Sequence, residues 1–319
     1  MVEGDDMKII NEHHSDNWSM YNGDSCEVLS GIPDASIHYS IFSPPFQSLF
    51  TYSSSNRDLG NCRSDEEFNT HFKFIVDHLY RVIMPGRLIS FHCMNLPATI
   101  SHDGYIGIKD FRGDLIRMFQ SSGFIYHSEV VIWKDPLMQA VRTKTLTLAH
   151  KQISKDSSRC ANGLPDYVVT MRKPGENPEK IDNGRGFERY IGEMPNPSET
   201  KTDNPRTNKY SHKVWQRYAS PVWFDIRQTR TLNERLARED KDEKHLCPLQ
   251  LDTIERCLEL WTNPGDFVLS PFAGIGSEGY CAIESGRKFV GIELKTSYYD
   301  QAVKNISSVE ISEKQGDLF

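Results

Sequence analysis

The chain has 319 residues, 38% apolar and 25% charged, enough for one large domain or two modest ones with a substantial core. No apolar run reaches the roughly 18 residues that a membrane helix needs, and the acidic start, with Glu3, Asp5 and Asp6, lacks the basic-then-apolar order of a secretion signal. Seven cysteines, at 26, 62, 93, 160, 247, 257 and 281, form no C-x-x-C pair, which argues against a disulfide framework or zinc site and for a reducing cytosol.

In chain order, residues 1–16 read as a polar, frayed start. His13-His14, like His92-Cys93 further on, is short of further ligands at usable spacing, so no metal is expected. Trp18 to Tyr21 reads as a strand, and the turn Asn22-Gly23-Asp24-Ser25 sets Asp24 at its tip. Cys26 to Leu29 follows as one helical turn. Ile37 to Phe42 is a second strand, running directly into Ser43-Pro44-Pro45-Phe46. Consecutive prolines cannot continue a ladder and fix a stiff, extended turn. Such a turn offers the Ser43 hydroxyl and the Pro44 carbonyl as fixed acceptors beside the Phe46 ring. That suits an exocyclic amino group on a flat base: accepting both hydrogens turns the nitrogen lone pair out of conjugation and toward an electrophile. The plain alternative is a Pro-Pro loop with a buried Phe.

Gln47 to Arg63 reads as a polar flap. A helix from Asp65, with apolar positions at Phe68, Phe72, Ile75, Val76, Leu79 and Val82, is expected to stop at Met84-Pro85-Gly86-Arg87, before a strand over Leu88 to His92. A helix over Phe111 to Gln120 and a strand over Phe124 to Trp133 come next, and Tyr167 to Met171 is expected to pair with that strand as a hairpin across 137–165. Residues 174–212 are rich in Pro, Gly, Asn and charge, with little periodicity.

Charge is unevenly spread. Lys134 to Arg238 holds 20 Lys and Arg against 12 Asp and Glu, whereas the remainder holds 17 against 32. Lys180, Arg185, Arg189, Arg206, Lys209, Lys213 and Arg217 alternate with Phe187, Tyr190, Tyr210 and Trp215, a mixture suited to phosphates and bases. A solvated charged loop is the alternative. Trp223 to Ile226 returns to strand character, and His245-Leu246-Cys247-Pro248-Leu249 leads into a helix over Asp252 to Trp261.

The last segment organises the rest. The apolar run Phe267 to Leu269 ends in Ser270-Pro271-Phe272-Ala273-Gly274-Ile275-Gly276-Ser277-Glu278-Gly279, which contains G-x-G-x-x-G; a helix over Tyr280 to Ser285 and a strand ending on Glu293 follow. Strand, glycine turn, helix, strand and acid read as a nucleoside-cofactor site, with an ordinary βαβ turn as the alternative: glycine permits close approach, the helix start offers free N–H groups, and the acid accepts ribose hydroxyls. A Cβ at Gly276 is expected to intrude on that cofactor. Only 40 residues follow Gly279, so either earlier sequence completes the sheet or the cofactor is smaller than a dinucleotide.

Alternating strands and helices imply a doubly wound, mostly parallel α/β sheet, which gathers Asp24, Ser43, Gly274 and Glu293 at one rim. With these motifs the chain resembles an S-adenosylmethionine-dependent DNA amino-methyltransferase of the permuted beta group. The resemblance implies a circularly permuted Rossmann-like fold in three parts: a catalytic half over 1–136, a target-recognition region over about 137–240, and a cofactor half over 241–319. It assigns catalysis to Ser43, Pro44, Pro45 and Phe46. It assigns the cofactor to Asp24, Pro248, Ser270, Pro271, Phe272, Ala273, Gly274, Gly276, Ser277 and Glu293, with double-stranded DNA as partner. The family's loop usually begins with Asp and ends in Gly-Thr-Thr. This chain has Ser270 and Ser277-Glu278-Gly279 there, and Ser277 is a candidate helix cap.

The leading reading is transfer of a methyl group to the exocyclic amino group of a flipped base. Ser at the first motif position is typical of relatives acting on cytosine N4, and adenine N6 is the alternative. An NAD-linked oxidoreductase would explain the glycine turn but neither the SPPF motif nor the basic middle. A catalytically dead DNA-binding relative is a third reading, prompted by Ser270.

Overall fold

The structure, a computed structural model, describes residues 9–45, 59, 62, 65–98, 100–143, 150–160, 162–182, 186–232 and 248–316. In chain order the elements are β1 (Asn11–His14), β2 (Trp18–Asn22), α1 (Ser25–Gly31), β3 (Ile37–Phe42), α2 (Asp65–Val82), β4 (Ile83–Met94), β5 (Leu96–Ala98), α3 (Ile100–Asp103), β6 (Gly107–Lys109), α4 (Phe111–Ser121), β7 (Ile125–Ile132) and α5 (Pro136–Thr143). They continue with β8 (Asp166–Arg172), α6 (Lys209–Tyr218), β9 (Val222–Trp223), α7 (Leu251–Trp261), β10 (Phe267–Ser270), α8 (Ser277–Glu284), β11 (Lys288–Glu293) and α9 (Thr296–Gly316).

Strands that alternate with helices return by crossover and pair in parallel. Thus β2, β11, β10, β3 and β4 lie side by side and parallel at the heart of a nine-stranded sheet, in the order β1-β2-β11-β10-β3-β4-β8-β7-β9. The two exceptions are β1, antiparallel on the β2 edge, and β8, antiparallel to both β4 and β7. The β7–β8 pairing is the expected hairpin. The sheet is completed by sequence far upstream of the glycine turn, with β2 beside β11 and β3 beside β10.

Side-chain alternation along the strands feeds two cores. Ile37, Ile89, Phe91, Val169 and Leu269 face α1, α2 and α4, including Leu29, Phe72 and Phe119. Tyr39, Ile41, Val168, Val268 and Phe289 face α7, α8 and α9, including Ile254, Ala282 and Ile306. A third cluster of Phe187, Ile191, Tyr210, Val214 and Tyr218 docks α6 near Leu260 at the end of α7. No described helix is long and apolar enough to cross a membrane.

Several boundaries differ from expectation. Asn11–His14 is an edge strand rather than frayed chain, zipped to β2 by backbone pairing that its polar side chains do not advertise. Helix α2 ends at Val82 and β4 starts at once, with Ile83 already opposite Ile37; Met84-Pro85-Gly86-Arg87 forms an irregularity inside the strand instead of a separating turn. The return strand stops at Trp223, because Asp225 turns inward to meet Arg256 at 2.7 Å. Helix α6 occupies part of the stretch that shows little periodicity. The expected flap over 47–63 lies outside the described residues except Leu59 and Cys62.

Candidate functional site

Parallel strands end at one edge, so the sheet places Asn22, Phe42, Met94, Ser270 and Glu293 along a single rim. The reversed β8 adds its first residue, Asp166, to the same rim, opposite Met94 on one side and Ile132 on the other.

The glycine turn is shaped by its backbone. Gly274 and Gly276 have φ of +52° and +84°, the left-handed region that favours glycine. The Gly274 N–H donates to Glu293 Oε2 at 2.9 Å, and the Lys295 N–H donates to Oε1 at 2.9 Å. Ser25 donates its hydroxyl to the Pro271 carbonyl at 2.6 Å, and the Ala273 N–H donates to the Ile292 carbonyl at 2.9 Å, stitching the turn to its neighbours. Phe272 packs on the rings of Phe42 and Phe72, rooting the turn in the core.

Two expectations about this turn are corrected. A Cβ on Gly276 would meet Ala302 at 3.0 Å and Ile306 at 3.2 Å, so this glycine seats the turn against α9 rather than opening room for a ligand. At Gly274 nothing lies within 4 Å of the same ideal Cβ, so the open face of the turn is there. Gly276 itself is the N-cap of α8, with no side-chain cap bond, and Ser277 is the first helical residue, so Ser277 does not cap the helix. Asp24 caps α1, accepting from the N–H groups of Cys26 and Glu27 at 2.9 and 3.2 Å. Pro248 is half-buried just before α7.

The donor set fits an adenosyl cofactor. The open left-handed glycine and the acid at the tip of β11 stand together at the turn, and the Ser270 hydroxyl at the end of β10 is fully buried with no hydrogen-bond partner among the described residues. Next to it in α8, Glu278 is buried. Burial, with the nearby Glu293 charge adding to it, pushes its carboxyl up to about 8.

The other end of the rim is built from side chains. Half-buried Ser43 sits with its Oγ 3.0 Å from His92 Nδ1, beside the buried Pro44 and Pro45. His92 Nε2 lies 2.9 Å from Asp166 Oδ2, and Lys134 pairs with the same carboxylate oxygen. His92 is 9% exposed and Asp166 1%, so the chain runs from the rim into the protein. Burial alone would raise the Asp166 carboxyl, but His92 and Lys134 outweigh it and hold it below its ordinary value. Phe46 lies outside the described residues.

Sequence reasoning missed His92, Asp166 and Lys134 as site residues. His92 stood out only as half of a ligand pair. The readable signals were an acid opening the apolar strand Asp166–Arg172 and a lysine just past Ile132.

The basic stretch is dispersed by the fold. The Lys180 carbonyl accepts from Asn263 at 2.9 Å, where the chain enters β10, the edge opposite the rim. Arg189 pairs with Glu259 at 3.1 Å on α7, and Arg217 lies over the Tyr190 ring while donating to the Pro195 carbonyl. Arg206, Lys209 and Lys213 are exposed, and Arg185 lies outside the described residues. At that opposite edge His38, Glu179 and Asp266 also converge, but there the imidazole Nδ1 accepts from the Phe267 N–H and Arg87 pairs with Asp266 at 3.0 Å, making an ion-pair cluster.

A family model described as DNA methylase matches residues 37–304. The type II methyltransferase M.BglI of Bacillus subtilis is 24% identical over 327 residues, covering 92% of this chain and 87% of that protein. DNA adenine methyltransferase YhdJ of Escherichia coli K12 is 39% identical over 67 residues, 21% of this chain and 23% of its own. Among solved structures, TTHA0409 of Thermus thermophilus, complexed with S-adenosyl-L-methionine, superposes with a TM-score of 0.62 at 21% identity, covering 91% of this chain and 93% of the other. The cytosine-N4-specific PvuII DNA methyltransferase does so with a TM-score of 0.58 at 18% identity, over 92% of each chain.

Proposed function

The chain belongs to the DNA methylase family as an S-adenosylmethionine-dependent amino-methyltransferase, and we propose that its target is the N4 amino group of cytosine in double-stranded DNA. The observation carrying this choice is Ser43 at the first motif position, its hydroxyl held on His92 at 3.0 Å. S-adenosylmethionine supplies an electrophilic methyl group on a sulfonium. Glu293, Gly274 and Ser270 would hold it, the acid toward the ribose hydroxyls and the buried serine toward a polar group of the cofactor.

A base must leave the duplex to reach the rim. Ser43 and the Pro44 carbonyl then receive its amino hydrogens and orient the nitrogen for in-line attack, with Phe46 stacking on the ring. No covalent enzyme–base bond is required. Adenine N6 is the second reading, favoured by the 39% identity to the adenine methyltransferase YhdJ over 67 residues.

The DNA-facing segment we infer is 133–165. It leaves the sheet after Ile132 and returns at Asp166, so both its ends are on the catalytic rim. From 135 to 165 it carries the basic residues Arg142, Lys144, Lys151, Lys155 and Arg159 against only Asp135 and Asp156. Lys180, at the opposite edge, is assigned no DNA contact.

Nucleoside mass spectrometry of DNA methylated by this chain decides the base. N4-methylcytosine is expected; N6-methyladenine alone would replace the cytosine reading with the adenine one. Neither product, with bound cofactor demonstrated, would remove both.

A further inference from the structure

Ser43, His92, Lys134 and Asp166 come from four separate segments and meet in one hydrogen-bonded chain. Its polarity can be worked out from chemistry. Lys134 pairs with the Asp166 carboxylate, and a carboxylate only accepts, so His92 must present an N–H at Nε2. A neutral ring protonated there has an acceptor at Nδ1, toward which the Ser43 O–H is directed at 3.0 Å. The serine oxygen then offers its lone pairs to the substrate. Among the described residues, the charged groups that meet this ring and its carboxylate are Asp166 of β8 and Lys134 beyond β7. Methyl transfer to an amino group needs no serine nucleophile, but it does need somewhere for a proton to go. This arrangement supplies one.

We propose that His92, held by Asp166 and Lys134, is a positioning residue that takes up the proton released during amino methylation, acting through Ser43. The inference rests on the reading that Ser43 meets the reacting nitrogen. As the nitrogen lone pair forms the N–C bond, the electron pair of the breaking S–C bond leaves with sulfur. One amino proton passes to Ser43 Oγ while the serine's own proton passes to His92 Nδ1. The nitrogen keeps the electron pair of its broken N–H bond and ends neutral and methylated. The ring ends as an imidazolium against Asp166, and it returns its proton to water once the product has left.

Two measurements test this. The first needs neither cofactor nor DNA: 15N NMR of the full chain labelled in histidine, with the His92 signal assigned by difference from His92→Phe. A neutral ring protonated at Nε2 is expected, moving to the Nδ1–H form in Asp166→Asn, whose amide can donate to Nε2. A wild-type ring protonated at Nδ1, or at both nitrogens at neutral pH, would overturn the proposal.

The second is a double-mutant cycle on the single-turnover rate. His92→Phe and Ser43→Ala should each lower that rate by about 10²–10³-fold, as loss of proton transfer does, with affinities for S-adenosylmethionine and DNA within about twofold. The double variant should be no slower than the slower single one. Multiplying losses, or a wild-type rate in His92→Phe, would show that His92 does not act through Ser43. His92→Asn, which can accept a hydrogen bond but not hold the proton, serves if the Phe variant fails to fold, and a wild-type rate there overturns the proton step. A wild-type chain that binds cofactor but methylates no DNA base would instead remove the reading on which the relay rests.

Discussion

The two ends of the rim are made differently. The cofactor end is a contiguous run, Ser270 to Gly279, that takes its shape from left-handed glycines and backbone donors tied to Glu293. The proposed catalytic end takes one side chain from each of four places, 43, 92, 134 and 166, and exists only because β3, β4, β7 and β8 are in register. A backbone-made site depends less on which side chains it carries. A site made from dispersed side chains tolerates few changes, because each member's partner is another member.

The largest break in this comparison is expected at Gly274. Gly274→Val should lower S-adenosylmethionine affinity by about a hundredfold or more, roughly 3 kcal/mol, because its branched side chain enters the open face of the turn at φ +52°. Isothermal titration calorimetry checks it, and Ser43→Ala in the same assay should bind normally. Gly276→Ala should behave differently, destabilising the fold by about 1–3 kcal/mol through the strain of its φ and the close approach to Ala302. Folded Gly276→Ala protein should still bind cofactor; lost affinity at full folding would return that glycine to the ligand side.

Glu293→Gln comes next. The amide keeps the shape but loses charge and one acceptor, so affinity should fall about tenfold, whereas unchanged affinity would take the ribose contact from this residue.

Glu278 gives a pH signature confined to the cofactor end. Its carboxyl is raised to about 8 by burial, so the stability of its protonated form is complete below the ordinary glutamate value and is lost as the pH rises through about 8. Glu278→Gln should therefore melt like the parent near pH 4 and higher than the parent at pH 8. The same difference at both pH values would contradict a raised carboxyl.

The smallest effects belong to the DNA surface. Replacing Lys151 and Lys155 by alanine should flatten the slope of log affinity against log salt by up to about one per lost phosphate contact, with cofactor affinity constant. Lys180→Ala should leave the slope unchanged, since that residue is held at the far edge by Asn263. The reverse pattern would move the DNA surface to 180–217.

The difference between the two ends also explains what could be read in advance. Strands such as Ile37–Phe42 and Phe267–Ser270 announce themselves by apolar runs, and the glycine turn by local spacing. The relay was illegible because register is a tertiary property: nothing within the run from Leu88 to Phe91 says which acid will face His92, and only the antiparallel entry of β8 sets Asp166 there. Helix α6 buries Tyr210, Val214 and Tyr218 at a spacing of four, but the polar residues between them masked the stripe. The basic segment was legible as charge, not as position; Lys180 and Lys151 look alike in sequence, yet Lys180 lies at the edge opposite the rim while the segment holding Lys151 leaves and returns at the rim.

The reversal of β8 has a further consequence for how the molecule can vary. Because Ile132 and Asp166 are neighbours across one ladder step, the segment between them begins and ends at almost the same point in space. Its length is therefore nearly independent of the sheet: doubling such a loop adds only about 0.6 kcal/mol of closure entropy. A shorter or longer span can be spliced between Lys134 and Asp166 without shifting a strand, so the surface proposed to face DNA can be exchanged while Lys134 and Asp166 at its foot keep their contact.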